Sequence, residues 1–451
     1  KEMIRSMVID ILQGQKQEMA SSQPIKQAPR GQVEPGVFDT VDEAIQAAKA
    51  AQARFEDCTL ATREKVIADI RAAMRPRVQE LAQKTVDETG MGRVADKVLK
   101  LNLTLNKTPG VEDLVTECET GDNGMTLYEL SAYGVIGAIT PSTNPAETLI
   151  CNSIGMLAAG NAIFFSVHPG AKNLSRELVS ELNQIIAKSI GIENLIVTLR
   201  EPSIESAQEM MLHPDVSLLV VTGGPGVVKQ ALQSGKKVIG AGAGNPPAFV
   251  DETADIKKAA QDIVLGASLD NNILCIAEKS VVAMRQIEPQ LVQEMVKAGC
   301  VLIENQQDIQ RLVDLTVLPN GTPNKKFVGK NASVILDAAH IPYNGDPRLI
   351  IMRTPKDHPF AVIEMLMPIL PVVTVDSFDE GLDVCLMLEA GLHHTATMHS
   401  LNMERLNRMA RKMKTSIFVK NGPSYAGLGF SGEGTTTFTI ATPTGESTTS
   451  A

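Results

Sequence analysis

From Tyr133 to Gly242 the chain alternates between short apolar runs and longer amphipathic ones. "YGVIGAITP", "AIFFSV", "NLIVTLR", "VSLLVVTGG" and "KKVIGAG" read as strands. "PAETLICNSIGMLAAGN", "AKNLSRELVSELNQIIAKSI", "IESAQEMMLH" and "PGVVKQALQSG" fall between them with helical spacing. Strands that alternate with helices in this way predict a parallel, doubly wound α/β sheet. A second α/β block is expected from about residue 246 to 425. Upstream, "VFDTVDEAIQAAKAAQARF" opens an Ala-rich helical stretch reaching about Pro109, with Thr40 or Asp39 as its N-cap. "LVTECETGDNGMTLYEL" predicts a hairpin turning at "GDNG", and the Thr-rich tail "GEGTTTFTIATPTGESTTS" is expected to be β-prone.

At 451 residues the chain exceeds what one hydrophobic core usually serves, so two or three domains are expected. A net charge of −10 argues against wrapping a nucleic-acid backbone, and the absence of Trp, with only 3% aromatics, argues against base-stacking platforms. The cysteines at 58, 118, 151, 275, 300 and 385 form no CxxC pair, so reduced cytosolic thiols are expected; no secretory signal is legible. The stretch Thr148–Ala171 carries no Asp, Glu, Lys or Arg and has the length of a membrane span. Asn152, Ser153, Asn161 and His168 interrupt it, however, and "AAGN" reads as a helix end, so a buried helix followed by a buried strand is expected. The first dozen residues, "KEMIRSMVIDIL", place Ile4, Met7, Val8, Ile11 and Leu12 at helical spacing ahead of a polar Gln/Pro/Gly linker. Such a segment docks either on its own protein or in a partner's groove.

Parallel sheets bind ligands outside the carboxyl ends of their strands, so the strand-to-helix junctions are the places to look. "VIGAIT" runs into "PSTNP", giving Thr140, Pro141 and Ser142. "AIFFS" runs into "VHPGA", giving Ser166, His168 and Pro169. "LLVVT" runs into "GGPG", giving Gly223, Gly224, Pro225 and Gly226. Glycines there let a phosphate approach the backbone at a helix N-terminus. No junction carries the GxGxxG spacing, and a plain turn explains each taken alone. In "SLDNNILCIAEKS" a single thiol, Cys275, follows two amides and precedes a Glu-Lys pair; on its own it reads as a buried, inert cysteine. In "GLHHTATMHS" the residues His393, His394 and His399 lack the i, i+4 spacing of helical zinc pairs, so no metal site is expected.

Taken in order, "GVIGAITPSTNP", "MLAAGNAIFFSVHPGA", "VVTGGPGVV", "GAGAGNPPAFV", "LDNNILCIAEKS", "HHTATMHS" and "GEGTTTFTIATPTGE" resemble the aldehyde dehydrogenase superfamily from about residue 37 onward. The closest resemblance is to its CoA-acylating branch, whose nearest members are the propionaldehyde and acetaldehyde dehydrogenases of bacterial microcompartments. The resemblance implies a nicotinamide-nucleotide-binding domain (37–113 and 131–245), a catalytic domain (246–428) and a β oligomerisation extension (114–130 and 429–451), after a peptide and linker (1–36). It implies Cys275 as the nucleophile, Asn144 as an oxyanion donor beside the Cys275 backbone N–H, and Glu364 in "VIEMLMP" as a contact to the nicotinamide ribose. His394 then either assists thiol deprotonation or is structural. The N-terminal segment resembles the encapsulation peptides of microcompartment cargo, implying a bacterial cytoplasmic enzyme, a homodimer or homotetramer, held within a shell.

Departures from the hydrolytic branch are informative. Those relatives carry a Glu at about the position of Ala241, whereas Gly240–Val250 holds no carboxylate here. Water, with a pKa near 15.7, needs a base to cleave a thioester, while a thiol sits near about 8.5. The gap of about seven units is roughly 10 kcal/mol of proton transfer, which favours coenzyme A over water as acyl acceptor. After the second strand, "SVHPGA" lacks the acidic residue that holds an adenosine ribose, leaving NAD and NADP both open. The expected reaction is therefore oxidation of a short aldehyde, propionaldehyde before acetaldehyde, with NAD and CoA. The alternatives are a hydrolytic dehydrogenase and a non-catalytic scaffold or CoA-binding module.

Overall fold

The alternating segments form two parallel sheets in a computed structural model that describes residues 34–442. The N-terminal peptide, nearly all of its linker and the last residues of the tail lie outside the described residues. In chain order the first strands are β1 (Val37–Phe38), the hairpin strands β2 (Glu117–Gly121) and β3 (Gly124–Tyr128), β4 (Val135–Thr140), β5 (Ala162–Val167), β6 (Ile196–Leu199), β7 (Val216–Thr222) and β8 (Lys237–Ala241). They are followed by β9 (Pro247–Val250), β10 (Ser280–Met284), β11 (Cys300–Leu302), β12 (Leu349–Arg353), β13 (Ile369–Val375), β14 (Thr395–His399) and β15 (Ile417–Lys420). The first sheet has the order β1-β6-β5-β4-β7-β8 and the second β11-β12-β13-β10-β9-β14-β15. Every pairing in both is parallel.

The central strands are apolar throughout because both faces are covered: all six residues of β4 and of β5 are buried. The helical stretch before them breaks into Val41–Glu56, Leu60–Met74, Val78–Thr89 and Val94–Lys107. Thr40 caps the first, accepting from Glu43 N at 3.3 Å, and Val41, Ala44, Ile45, Ala48 and Phe55 form its buried stripe. The uncharged stretch Thr148–Ala171 resolves into most of the helix Pro145–Ala158, a left-handed Gly160, and β5. Among the described residues no helix is long and apolar enough to cross a membrane.

The hairpin pairs Glu117 with Tyr128 and turns between Gly121 and Gly124, as "GDNG" predicts. The tail departs from expectation: its described part, through Thr442, forms no strand. It lies along the protein, with Thr436 N donating to Lys107 O at 2.9 Å and Thr442 N to Gly240 O at 3.0 Å, while Phe438 and Ile440 are buried in an apolar cluster around Leu274 and Ile276.

Five residues, 242–246, carry the chain from the end of β8 to the start of β9. Such a link spans at most about 20 Å when extended. The carboxyl edge of the first sheet and the amino edge of the second therefore have to lie near each other, and the candidate residues sit along those two edges.

Candidate active site

On the first sheet, β4 leads through β5 to β6 on one side, and β7 leads to β8 on the other. The order reverses between β4 and β7, which is the switch-point crevice where open α/β sheets bind nucleotides. Thr140 ends β4 there, followed by Pro141 and Ser142. Gly223 and Gly224 follow β7, and Pro225 and Gly226 open the helix Pro225–Leu232. Thr140 Oγ1 is buried with no partner among the described residues, and a Cβ at Gly224 or Gly226 would meet nothing within 4 Å. An unsatisfied hydroxyl beside open backbone fits an approaching polar ligand.

Ser166 and His168 belong to the neighbouring β5 edge. Ser166 is buried, and His168 Nδ1 accepts from Gly170 N at 3.0 Å, closing the short turn that begins at Pro169. Desolvation, and then the charge of Lys325, lower the His168 pKa. Lys325 thus brings positive charge near His168.

The thiol is placed differently. Cys275 precedes β10, Gly244 precedes β9, Glu364 precedes β13 and His394 precedes β14, so this sheet contributes from its amino ends. Residues at strand carboxyl ends are therefore the candidates on the first sheet only. A Cβ at Gly244 would lie 2.8 Å from both the Cys275 carbonyl oxygen and His394 Cγ, which brings the imidazole next to the Cys275 backbone. His394 Nδ1 bonds Thr395 Oγ1 at 2.9 Å, while its buried Nε2 has no partner among the described residues. Burial, then the charge of Lys279, lowers its pKa to about 4, so the ring is neutral at pH 7.

Burial pushes the half-buried Cys275 thiol up to about 12, and Glu364 adds to the shift. Lys279 and the backbone N–H groups of Cys275 and Ile276 act the other way. Glu364, expected from the resemblance to contact the nicotinamide ribose, lies at Gly244: Gly244 N donates to its Oε1 at 3.3 Å, and burial raises its pKa. Glu278 and Lys279, adjacent in sequence, diverge. Glu278 accepts from Ser424 N at 2.8 Å and Ser424 Oγ at 2.7 Å, with burial raising it to about 7. Lys279 donates to Asn272 O, Asn272 Oδ1 and Leu274 O at 2.7, 2.6 and 3.0 Å, with burial lowering it to about 8.

The turn before Cys275 has three consecutive left-handed residues, Asp270, Asn271 and Asn272, with φ of 50°, 56° and 66°. Asp and Asn tolerate this region best, and side-chain bonds hold each in place. Asp270 accepts from Arg93 N at 2.8 Å and pairs with Lys97 at 3.0 Å and Lys100 at 2.5 Å. Asn271 donates to Gly329 O at 2.9 Å, and Asn272 to Ala267 O at 2.7 Å. Lys100 also pairs with Glu147 at 2.9 Å and donates to Asn144 Oδ1. Burial opposes the charge on both partners, yet Asp270 is held below its ordinary value by Lys100 and Lys97, and Lys100 above its own by Asp270 and Glu147. Asp270 and Lys279 fall inside the motif around Cys275, whereas Lys97 and Lys100 were not marked by any motif in the sequence.

The histidines of "GLHHTATMHS" point to separate places: His393 Nδ1 lies 3.3 Å from Met413 O, and His399 Nδ1 lies 3.9 Å from Asp262. Among the described residues no group of three or more His, Cys, Asp or Glu is arranged to hold a metal.

Residues 11–439 match the aldehyde dehydrogenase family. A propanal dehydrogenase (CoA-propanoylating) of Salmonella typhimurium is 54% identical over 417 residues, covering 92% of this chain and 89% of that protein. The solved propionaldehyde dehydrogenase of Rhodopseudomonas palustris, with bound CoA and an acylated cysteine, is 48% identical with a TM-score of 0.90, covering 92% of this chain and 95% of that one. The propionaldehyde dehydrogenase of the Clostridium phytofermentans fucose utilisation bacterial microcompartment is 47% identical with a TM-score of 0.90, again covering 92% and 95%.

Proposed function

The chain belongs to the aldehyde dehydrogenase family, and from that premise we propose that it is a CoA-acylating dehydrogenase of short aliphatic aldehydes, propionaldehyde before acetaldehyde. The observation that carries the reading is that a neutral His394, its Nε2 without a partner among the described residues, lies beside the Cys275 backbone at Gly244.

In this reading the Cys275 sulfur, as thiolate, bonds the aldehyde carbon, and the carbonyl π pair moves to oxygen. The Asn144 Nδ2 amide and the Cys275 backbone N–H receive that oxyanion. The nicotinamide nucleotide supplies the acceptor for the aldehyde hydrogen and its electron pair, which oxidises the carbon to a Cys275 thioester. Thr140, Pro141, Ser142 and Gly223–Gly226 hold the nucleotide, with Lys325 beside His168 suited to a ribose phosphate of NADP or CoA. His394 Nε2 takes the proton of the CoA thiol; the CoA sulfur bonds the acyl carbon, and Cys275 leaves as thiolate.

Glu364 favours one rival, because a carboxylate beside Cys275 is where a hydrolytic enzyme would keep its base. NADH formation from propionaldehyde, followed with and without CoA, separates them. The expected outcome is acyl-CoA and multiple turnover only with CoA, and no turnover for Cys275→Ser. CoA-independent turnover to propionate, abolished by Glu364→Gln, would replace acylation with hydrolysis. No turnover by the parent protein in either arm would leave a scaffold or CoA-binding module.

The domain division at about residues 245–246, a hairpin used for self-association, and a shell-docking role for the N-terminal peptide complete the reading. The microcompartment origin of the Clostridium phytofermentans relative supports the last of these. Deleting residues 1–20 should leave turnover unchanged and abolish co-purification with shell proteins; full co-purification of the truncated protein would refute that role.

A further inference from the structure

Lys100 lies on the helix Val94–Lys107 with no exposed side-chain surface. An ammonium carries three donors and no acceptor. Lys100 Nζ has three oxygen neighbours: it forms ion pairs with Asp270 Oδ2 at 2.5 Å and Glu147 Oε1 at 2.9 Å, and it donates to Asn144 Oδ1. Two carry charge and keep the cation in place. The third is neutral and belongs to the proposed oxyanion donor.

Asn144 stands at the N-cap of the helix Pro145–Ala158, a position where Asn usually bonds a helix N–H. Here its side chain makes no such bond. Its oxygen is committed to Lys100 instead, and of its two amide N–H groups one donates to Thr143 Oγ1 at 3.3 Å. A cation at the oxygen also settles which way the amide faces, because the flipped amide would set NH₂ against NH₃⁺. The same Nζ reaches Asp270, in the left-handed turn five residues before Cys275.

We infer that Lys100 is a positioning residue for acyl transfer: it fixes the Asn144 amide so that Nδ2 is the group offered to the oxyanion, and ties that amide through Asp270 to the turn carrying Cys275. This rests on the acylating reading above.

Two reactions of Cys275 distinguish this role from a merely structural one. Single-turnover NADH formation from propionaldehyde passes through an oxyanion. Alkylation by iodoacetamide displaces iodide and forms none. Lys100→Met leaves two buried carboxylates against one cation, so Lys100→Met/Glu147→Gln, which restores the charge balance, is measured beside it with Glu147→Gln alone as reference. Both Lys100 variants should lose about 10²-fold in NADH formation and stay within about twofold of the parent in alkylation, while Glu147→Gln stays near the parent in both. Asn144→Ala should lose about 10²–10³-fold, and adding Lys100→Met to it should cost nothing further. Equal losses in both reactions would make Lys100 structural. Unimpaired NADH formation by the Lys100/Glu147 double variant, with Asn144→Ala impaired, would overturn the inference while leaving the acylating reading intact. No effect of Asn144→Ala would remove the oxyanion assignment and the inference with it.

Discussion

At Cys275 opposing influences meet within a few residues. Burial and Glu364 hold the sulfur protonated; Lys279 and two backbone N–H groups favour the thiolate. Lys279 is itself a titrating group, lowered by burial to about 8. It is therefore roughly nine-tenths charged at pH 7 and mostly neutral by pH 9.5. Its help to the thiolate is present below pH 8 and fades as pH rises through that value. A change of one pKa unit in the thiol is tenfold in thiolate at fixed pH below both values. Lys279→Met should thus slow iodoacetamide alkylation of Cys275 about tenfold at pH 7, and the two rate profiles should converge by about pH 9.5. Parallel profiles at all pH values would mean that Lys279 matters only for the bonds it makes to Asn272 and Leu274, which removing the side chain breaks at any pH.

At the scale of elements, what was legible in the sequence followed from local physics. Strands buried on both faces read as unbroken apolar runs, as in β4 and β5. A Gly/Asp/Asn turn between alternating residues read as the β2–β3 hairpin. The described part of the tail departs from expectation because Thr-rich composition expresses only a preference for a pleated, half-buried surface, which packing can override. Phe438 and Ile440 instead enter the cluster around Leu274. The thiol was legible from its flanking motifs, but its surroundings were not. Lys97 and Lys100 sit three residues apart on a helix with no local signal of burial; their partner is Asp270, more than 160 residues away in sequence. The strand-end rule points to the first sheet's carboxyl edge and does not reach Cys275, which lies at an amino edge of the second. The second sheet begins five residues after the first ends, so it meets the cleft with its amino ends, carrying Cys275, Gly244, Glu364 and His394.

For the molecule as a whole, the β2–β3 hairpin is the element the rest of the fold does not account for. Among the described residues its two strands pair only with each other, and every residue in them is exposed. A lone two-stranded hairpin is marginal in water. This one also presents Met125 at 67% exposure and Leu127 at 56%, on the face where Leu127 sits opposite Cys118 and Met125 opposite Thr120. Covering such side chains is worth roughly 1.5–3 kcal/mol each, and unpaired strand edges invite pairing with another chain. A second copy of the same chain is the proposed cover, matching the oligomerisation extension implied by the family resemblance. Met125→Asp and Leu127→Asp together should convert a dimer or tetramer to monomer by light scattering, because a carboxylate buried at both positions in each copy has no partner there. The parent's melting temperature should rise with protein concentration and the variant's should not, since only an assembly that dissociates on unfolding responds to mass action. A monomeric parent, or a variant that keeps the parent's mass, would mean that the exposed apolar face serves something other than self-association.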